Sequence, residues 1–538
     1  MDDTTSLSEK IGQLLMFGFD GLVVPESFAD LIQNHHLGNV ILFSRNVASY
    51  DQCSALTTTL QRLAHESGQP YPLIIAADQE NGVVRRLPSD VPGLPGNMAL
   101  GATHQPDNAR QSAAITADLL NRVGINMNLA PVLDVNNNPA NPVIGVRSFG
   151  DLAEVVAEFG AAFVDGLQSH GVIACGKHFP GHGDTEVDSH RDLPVIRHAR
   201  DRLDHLELVP FKTAIRRQID AIMTAHVVFP AVEPNFVPAT LSYRVLTGLL
   251  RHELGFSGLI ITDCLEMNAI SETVGVGRGA VEALKAGADM VMVSHRIDRQ
   301  LTALYAIREA VASGELSQSR IDDAYQRVLQ LKQKRLRGQP TAHRPWPILI
   351  QEAAHLQEVL APQAITWLRH ASTLPTHAEE VKSVAVLIDD RTPTMTAAGP
   401  GATNSFLTEA VHVVMPNATV SEYHFPDTQN RLSFETLVSQ LQSHDLVLIT
   451  VNGPSNDYWA IVNRVATEVP HSVVLLLRSP YDVVHLADAP CAVLALYENT
   501  SWMAVASLRA LFGGTAHGRL PVYVNEQYPR GFRAPLSV

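Results

Sequence analysis

The sequence predicts an α/β protein with two domains: an N-terminal (β/α)8 TIM-type barrel followed by a smaller α/β open-sheet sandwich domain. Three observations predict this. The chain has 538 residues, which is too many for one ordinary core. Eight short apolar runs alternate with helical patterns in its first part. A proline-rich change of composition then separates them from four further apolar runs. We therefore expect a barrel over residues 1–335, a linker over 336–360 and a second domain over 361–538.

The eight apolar runs show little alternation, as expected of strands that are covered on both faces. In order they are "GQLLMFGF", "GNVILFS", "PLIIAAD", "INMNLAPVLDV", "GVIACGKHF", "AIMTAHVVF", "GLIITD" and "ADMVMVS". Eight such units are typical of a closed barrel. A doubly wound open sheet is the competing arrangement.

Helical patterns lie between these runs. "DLAEVVAEFGAAFVDGLQSHG" has apolar residues at helical spacing, with Asp151 as the expected N-cap and Gly171 as the stop. "GVGRGAVEALKAG" ends at Gly287, and "SRIDDAYQRVLQLKQKR" closes the series.

The linker prediction rests on Pro340, Pro345 and Pro347, which lie among basic residues. The runs "SVAVLIDD", "DLVLITVNG", "SVVLLLRS" and "CAVLALYEN" follow, with helical segments between them. This second α/β pattern predicts a smaller open parallel sheet.

Composition narrows the classes of partner. The apolar fraction is 46%, the charged fraction is 18% and the formal net charge is −15. A negative chain without a long basic block is a poor partner for nucleic acid or an anionic membrane. The four cysteines stand apart, without a CxxC pair. "MDDTTSLSEKIGQLLMFGF" lacks the positive start and cleavage site of a signal peptide, so we expect a cytoplasmic protein.

Polar residues follow the apolar runs at the positions where active residues of a barrel lie, just past the C-terminal ends of the strands. These candidates are Asp78, Asp134, Arg147, Lys177, His178, His226 and Asp263.

The fifth run leads into "KHFPGHGDTEVDSHRDLP", which holds three histidines and four carboxylates. Asp188 and His190 are two residues apart, so the carboxylate can orient the imidazole and stabilise its cation. Such a histidine can donate a proton near neutral pH. A solvated loop with incidental histidines is the structural alternative.

Other interpretations stay open from the residues alone. Asp263 is either a nucleophile or general base, or the N-cap of the next helix. His178, His182, Asp184 and His190 are possible zinc ligands, although Arg147 and Lys177 on the same rim would oppose a bound cation. Arg147 could serve a structural salt bridge, and Asp134 a structural cap in a turn-rich stretch.

The motifs together resemble those of glycoside hydrolase family 3, specifically its β-N-acetylglucosaminidases. "KHFPGHGDTEVDSHRDLP" is similar to the signature loop of those enzymes almost letter for letter. "EKIGQLLMFGFDG", "AADQENG", "VIGVRSFG", "MTAHVVFP" and "ITDCLEM" match further motifs in the same order. The resemblance covers the first domain, while the second matches less specifically, through "GRLPVYV" and its α/β pattern.

The resemblance implies roles for individual residues. Asp263 falls on the catalytic nucleophile, His190 on the acid/base and Asp188 on its partner. Asp78, Arg147, Lys177 and His178 fall on positions that hold the hydroxyls of the terminal sugar. The implied reaction is a retaining, two-step removal of terminal N-acetylglucosamine from small oligosaccharides, with no metal or organic cofactor. Close alternatives are a family 3 β-glucosidase or xylosidase and an N-acetylglucosaminide phosphorylase; from another class, a metal-dependent barrel hydrolase remains.

One departure concerns "DQENGVVRR", where many bacterial members read "DQEGGRVQR". Val83 stands where an arginine that contacts the sugar is common, so either Arg85 or Arg86 compensates or the contact is missing. The "DQENG" form favours chitin-derived oligosaccharides slightly over cell-wall muropeptides.

Overall fold

The structure, a computed structural model, describes residues 5–88, 90–187, 193–337, 344–389, 406–425, 434–453 and 456–535. The first part of the chain forms the predicted eight-stranded barrel. Its strands are β1 (Leu15–Phe17), β2 (Asn39–Leu42), β3 (Ile74–Ala77), β4 (Met127–Asn128), β5 (Ile173–Phe179), β6 (Ala221–Thr224), β7 (Leu259–Cys264) and β8 (Met290–Val293). Each strand pairs in parallel with the next, and β8 pairs with β1, so the sheet is closed. The barrel is confirmed, and the doubly wound alternative is wrong.

Burial on both faces explains the apolar runs. Every residue of β2, β3, β5 and β8 is buried, including the polar ones. The inner face packs in the barrel and the outer face packs against helices, so neither face selects polar residues. The strand signal therefore lies in continuous apolar stretches and not in alternation.

Helices surround the barrel: α1 (Leu7–Gln13), α2 (Glu26–Asn34), α3 (Tyr50–Glu66), α4 (Asn97–Ala102), α5 (Pro106–Arg122), α6 (Ala153–Ser169), α7 (Arg200–His205), α8 (Leu208–Arg216), α9 (Asn268–Ser271), α10 (Val276–Ala286), α11 (Ile297–Ala312) and α12 (Gln318–Arg335). A π-helical segment, Arg244–Glu253, precedes β7. Short 3-10 turns include Ser44–Asn46, Gly145–Arg147 and Ala239–Leu241.

Two of the expected helix boundaries hold and one does not. Gly171 and Gly287 follow the ends of α6 and α10 with φ values of 82° and 117°, the left-handed conformation that glycine adopts easily. Asp151 is not the N-cap of α6, because that position is Leu152. Its carboxylate instead accepts hydrogen bonds from the Arg530 guanidinium and the Tyr523 amide, and so fastens the C-terminal part of the chain to the barrel.

Most of the stretch that we expected to be a linker is helical. Helix α13 (Trp346–Ala364) begins directly after Pro345 and carries Pro347 in its first turn. Proline is tolerated there because the amide groups of the first turn have no intrahelical partner. The prolines therefore start a helix, which packs against α5 of the barrel and against the later helix α17 (Ser501–Leu511). The domain boundaries themselves stay a prediction.

The second domain holds a six-stranded sheet. Its strands are β9 (Thr366–Arg369), β10 (Ser383–Asp389), β11 (Thr419–Phe425), β12 (Leu446–Val451), β13 (Ser472–Leu476) and β14 (Ala492–Ala495). They lie in the order β11-β10-β12-β13-β14-β9. All neighbours are parallel except β14 and β9, so the expected all-parallel sheet is corrected at one edge. Helices α14 (Phe406–Val414), α15 (Phe434–Gln442), α16 (Asn456–Glu468) and α17 accompany it, with 3-10 turns at Ala378–Glu380 and Pro480–His485.

Among the described residues, no helix combines the length and the apolar character needed to span a membrane.

The two glycines after β5 permit close packing of the loop that follows. Gly181 and Gly183 are buried. A Cβ added at Gly183 would lie 1.7 Å from the Val135 carbonyl oxygen, and one at Gly181 would lie 2.9 Å from Cβ of Glu207. Both contacts are far inside van der Waals distance. The segment can therefore approach the chain after β4 at Gly183, and Glu207 at Gly181, only because these positions lack side chains.

Gly183→Ala is expected to destabilise the protein by about 1–3 kcal/mol, the range for overpacking a filled interior. Gly248→Ala is the matched control, because its Cβ would meet nothing closer than 3.8 Å and alanine suits a helix better than glycine. Thermal unfolding checks both variants. A Gly183→Ala protein that unfolds at the same temperature as Gly248→Ala would contradict this account of the loop.

Candidate active site

The predicted rim residues converge on one cavity at the C-terminal ends of the barrel strands. Asp78 follows β3, Arg147 lies in the segment after β4, Lys177 and His178 belong to β5, and Asp263 belongs to β7. All five line a cavity of about 360 Å³. Its other lining residues are Ile41, Phe43, Ser44, Arg45, Glu80, Val84, Arg86, Val143, His182, Met223, Cys264, Met267, Met292, Ser294 and His295.

A buried network of opposite charges forms one wall of this cavity. Arg147 makes a bidentate pair with Glu80, with Nε–Oε2 and Nη2–Oε1 distances of 2.9 and 2.8 Å. The Lys177 ammonium lies 2.7 Å from the same carboxylate and 2.6 Å from Oδ1 of Asp78. The side chains of Arg147, Glu80 and Lys177 are each at most 4% exposed. Such groups stay charged in an interior only when they are paired and hydrogen-bonded.

The protonation states follow from this pairing. Burial alone would raise the pKa of Glu80, but Arg147 and Lys177 outweigh it and hold that pKa well below its usual range. Burial alone would lower the pKa of Lys177, but Asp78 and Glu80 outweigh it and raise that pKa. Glu80 and Lys177 therefore stay charged near neutral pH. A ligand there meets preorganised donors and acceptors.

Only Asp78 is a predicted site residue after the third apolar run, so the prediction misses Glu80. The signal was available, because "DQE" places a second carboxylate two residues on, on the same side of an extended segment. The structural salt bridge considered for Arg147 does exist. It is also part of the cavity wall, so the structural and ligand-binding interpretations of Arg147 coincide.

Arg86, and not Arg85, takes part in this wall. The left-handed turn at Asn81 and Gly82, with φ values of 71° and 56°, directs Val83 to the apolar cluster of the second domain. Arg86 lines the cavity with a guanidinium nitrogen 3.9 Å from Asp78. Arg85 instead lies over the Trp502 ring, 5.7 Å from its centroid. Of the two arginines considered in "DQENGVVRR", Arg86 is thus the one that reaches the cavity, and a sugar contact by it stays a prediction.

Asp134 organises the end of β5. Strand β4 is only two residues long, but the chain beyond it stays beside β5, with the Leu133 amide donating to the Lys177 carbonyl. The fully buried Asp134 carboxylate then lies 2.7 Å from Nδ1 of His178 and accepts the His182 amide at 2.7 Å. The structural cap considered for Asp134 is therefore corrected, because its carboxylate braces the neighbouring strand and does not cap its own turn.

The two histidines after this strand contribute to the cavity in different ways. His178 contacts the Asp134 carboxylate through its Nδ1 atom. The other nitrogen of its ring is Nε2. Burial lowers the pKa of His182 to about 4, and nearby His178 adds to the effect. His182 is therefore neutral near pH 7 and adds no charge to the wall.

Asp263 lies at the end of β7, half-buried at the cavity. The helix N-cap considered for it is wrong, because α9 begins five residues later and its N-cap position is Met267. One of its oxygens accepts the amide of Cys264 at 2.7 Å. His226, the candidate after β6, is buried behind the wall, with Nε2 2.9 Å from the Cys264 carbonyl. It supports the end of β7 and does not line the cavity.

His190 and Asp188 lie outside the described residues, so their placement stays a prediction. In the described part of their loop, two of the possible zinc ligands have other partners. Nδ1 of His182 contacts the Thr185 hydroxyl, while Asp184 pairs with His198.

Within the described ranges, one group has three ligand atoms close enough to one another to hold a metal: Cys264, Glu266 and His295. The Cys264 thiol of this group is buried. The Glu266 carboxylate already accepts the amides of Ser294, His295 and Arg296.

Comparisons with known proteins agree with this geometry. A family model described as the N-terminal domain of glycosyl hydrolase family 3 matches residues 6–331. Beta-hexosaminidase A of Pseudoalteromonas piscicida is 38% identical over 332 residues, which make up 58% of this chain and 56% of that protein. A beta-hexosaminidase of Nitrosomonas eutropha is 35% identical over 337 residues, 61% of this chain and 90% of that one.

A solved structure extends the similarity to the second domain. The glycoside hydrolase family 3 beta-N-acetylglucosaminidase from Paenibacillus sp. str. FPU-7 is 40% identical, covers 97% of this chain and 99% of its own, and superposes with a TM-score of 0.88. The family model covers more than half of the chain, and the cavity lies within the matched residues. The chain therefore belongs to glycosyl hydrolase family 3 and is a glycoside hydrolase.

Proposed function

We propose that the protein is a retaining exo-β-N-acetylglucosaminidase that removes terminal β-linked N-acetylglucosamine from small oligosaccharides. The observation that carries this proposal is the buried network of Glu80, Arg147, Lys177 and Asp78 beside Asp263. Sugar hydroxyls both donate and accept hydrogen bonds, and charged partners make those bonds stronger. A wall with fixed charges of both signs suits a neutral, hydroxylated ring. The relatives named for hexosaminidase activity support N-acetylglucosamine as that ring.

The proposed reaction has two displacement steps. Asp263 attacks the anomeric carbon, and a glycosyl ester forms as the bond to the leaving oxygen breaks. His190, oriented by Asp188, gives its proton to that oxygen. The same histidine then takes a proton from water, whose oxygen attacks the anomeric carbon and releases Asp263. Retaining enzymes usually place two carboxyl groups ~5–5.5 Å apart; here an imidazole takes the place of the second one.

A phosphorylase is the second candidate. A neutral imidazole repels an anionic acceptor less than a carboxylate does, so inorganic phosphate could replace water and give a sugar 1-phosphate. The described cavity supports this through Arg45 and Arg86, whose guanidinium groups add positive charge to its lining beside their partners Asp20 and Asp78.

We propose a cytoplasmic enzyme that acts on chitin-derived oligosaccharides in preference to muropeptides, with neither nucleic acid nor membrane as a partner. A relative from Arthroderma benhamiae is named as secreted, so fractionation of the source cells is the direct check of location.

Hydrolysis of aryl glycosides tests the substrate assignment. The wild type should cleave aryl N-acetyl-β-glucosaminide much faster than aryl β-glucoside or xyloside, and a chelator should not change the rate. Faster cleavage of the glucoside would favour the glucosidase alternative, and loss of activity with the chelator would favour a metal-dependent hydrolase. Chitobiose in phosphate buffer then separates the acceptors: free sugar alone, at an unchanged rate, excludes the phosphorylase.

Asp263→Ala should abolish turnover and leave folding intact, because a half-buried strand-end carboxylate contributes little packing. His190→Ala should slow turnover by roughly 10²–10⁴-fold, as expected when an acid–base group is lost. Substrates with activated leaving groups should lose less in the first step, since they need no protonation. Steady-state and burst kinetics measure both effects, and wild-type rates in either variant would refute the assignment.

Glu80→Gln should lower the free energy of unfolding at neutral pH by about 3–5 kcal/mol, the cost of breaking a buried ion pair. The pKa of Glu80 in the folded chain lies below its ordinary value of 4.5. Its ion pair therefore stabilises the fold fully above pH 4.5, and that contribution is lost as the pH falls below this value.

The difference in free energy of unfolding between wild type and Glu80→Gln, measured by denaturant titration, should thus decrease from neutral pH to about pH 3. Glu26→Gln, at an exposed position in α2, is the control and should follow the wild type at every pH. A gap of constant size would show that the carboxylate charge is not what stabilises this wall.

A further inference from the structure

A short barrel loop connects the two segments that form the charged wall. This loop comprises residues 93–97, which follow β3 and end at the first residue of α4, and is called here the bridging loop. Its Leu94 carbonyl accepts the amide of Gly82, in the segment that carries Glu80. Its Asn97 side chain donates to the backbone carbonyl of Arg147 at 2.6 Å. Any movement of the bridging loop therefore shifts both partners of the Glu80–Arg147 pair.

The carboxyl group of Glu498, in the second domain, packs against the bridging loop. Oε2 of Glu498 accepts the amide of Gly96 at 2.8 Å, and Oε1 accepts the Thr500 hydroxyl at 3.0 Å. Glu498 is 1% exposed. A Cβ added at Gly82 would lie 2.8 Å from the Glu498 carboxylate and 2.7 Å from Cα of Gly96. The carboxyl group thus sits against two backbones that approach each other as closely as glycine allows.

Trp502 continues the same contact. A Cβ added at Gly93 would lie 2.2 Å from its indole ring, so the ring occupies the space beside that glycine. Within the described chain, residues 498–502 of the second domain therefore hold both ends of the bridging loop, which otherwise belongs to the barrel.

We propose that Glu498 is a positioning residue that fixes the charged wall of the barrel from the second domain. It acts through the Gly96 amide, the bridging loop and Asn97 on Arg147, and through Leu94 and Gly82 on the segment of Glu80. The second domain thereby takes part in sugar binding without lining the cavity wall that holds the sugar. This inference rests on the sugar-binding role proposed for Arg147 and Glu80.

The chemistry of the contact predicts which substitution it tolerates. Burial raises the pKa of Glu498 to about 7, with the Gly96 amide acting in the opposite direction. The contact therefore needs an acceptor oxygen of this size more than it needs a full charge. Glutamine keeps that oxygen, whereas alanine leaves the Gly96 amide buried without its acceptor and opens a cavity under the bridging loop.

The test compares Glu498→Ala, Glu498→Gln and wild type on the full chain, with the aryl glycoside that the wild type cleaves best. Small displacements of groups that hold a substrate cost up to 10²-fold. We expect kcat/KM of Glu498→Ala to fall by about 10–10²-fold with a raised KM, and that of Glu498→Gln to stay within about threefold of wild type. A loss of folded protein alone would lower the apparent kcat and leave KM unchanged.

Asp482→Ala is the matched control, because Asp482 is another largely buried carboxyl group of the second domain and burial raises its pKa to about 6. It has no contact with the bridging loop among the described interactions, so its KM should stay at the wild-type value. Asn97→Ala removes the barrel-side contact of the same path, the hydrogen bond from Asn97 to the Arg147 carbonyl. It should reproduce the effect of Glu498→Ala, and the double variant should lose less than the product of the two single losses.

Wild-type KM in folded Glu498→Ala overturns the inference, and so does an equal rise of KM in Asp482→Ala. If Glu498→Ala does not fold, Asn97→Ala decides, and an unchanged KM there overturns the inference. A wrong sugar assignment would show already in the substrate preference of the wild type, so it is distinguished from failure of the positioning role.

Discussion

The buried ion pair between Glu80 and Arg147 is the interaction on which the rest of the site depends. The two charges lie almost fully out of water, so each must be compensated by fixed partners. Lys177 and the Val143 carbonyl provide part of this compensation. Because these partners come from the segments after β3 and β4 and from β5, one electrostatic requirement aligns three neighbouring barrel loops. The cavity is a consequence of that alignment.

The Asp134 carboxylate positions the end of β5, as the Glu80 carboxylate positions the charged wall. Asp134 holds the ring of His178 and the backbone of His182, and Gly183 allows the loop to come close enough for this. The start of this loop, from His178 to Gly183, is thus held in place by the Asp134 carboxylate and by close backbone packing.

The barrel could be predicted from the sequence because its strands are buried on both faces. Such strands are continuous apolar runs, which can be recognised without alternating polar and apolar residues. The two strands of the second domain that were not predicted, β9 and β11, are not continuous apolar runs. β9 reads "TWLR", with a polar residue at each end, and the edge strand β11 reads "TVSEYHF" with every residue at least partly exposed. At the site, strand ends identified Asp78, Lys177 and Asp263 correctly as cavity residues. The choice between Arg85 and Arg86 could not be made because it depends on the turn at Asn81 and Gly82, and the role of Asp151 escaped because its partners lie some 370 residues away along the chain. Long-range pairing of this kind leaves no local pattern.

The central claim is that Asp263 attacks a sugar held by the charged wall, and trapping the glycosyl ester tests it most directly. His190→Ala should be mixed with an aryl N-acetyl-β-glucosaminide that carries an activated leaving group, quenched rapidly and weighed as an intact chain. The account predicts a mass increase of one N-acetylglucosaminyl group, located by peptide mapping on Asp263 and absent from Asp263→Ala. An adduct on another residue, or turnover without any adduct and with inversion at the anomeric carbon, would contradict it.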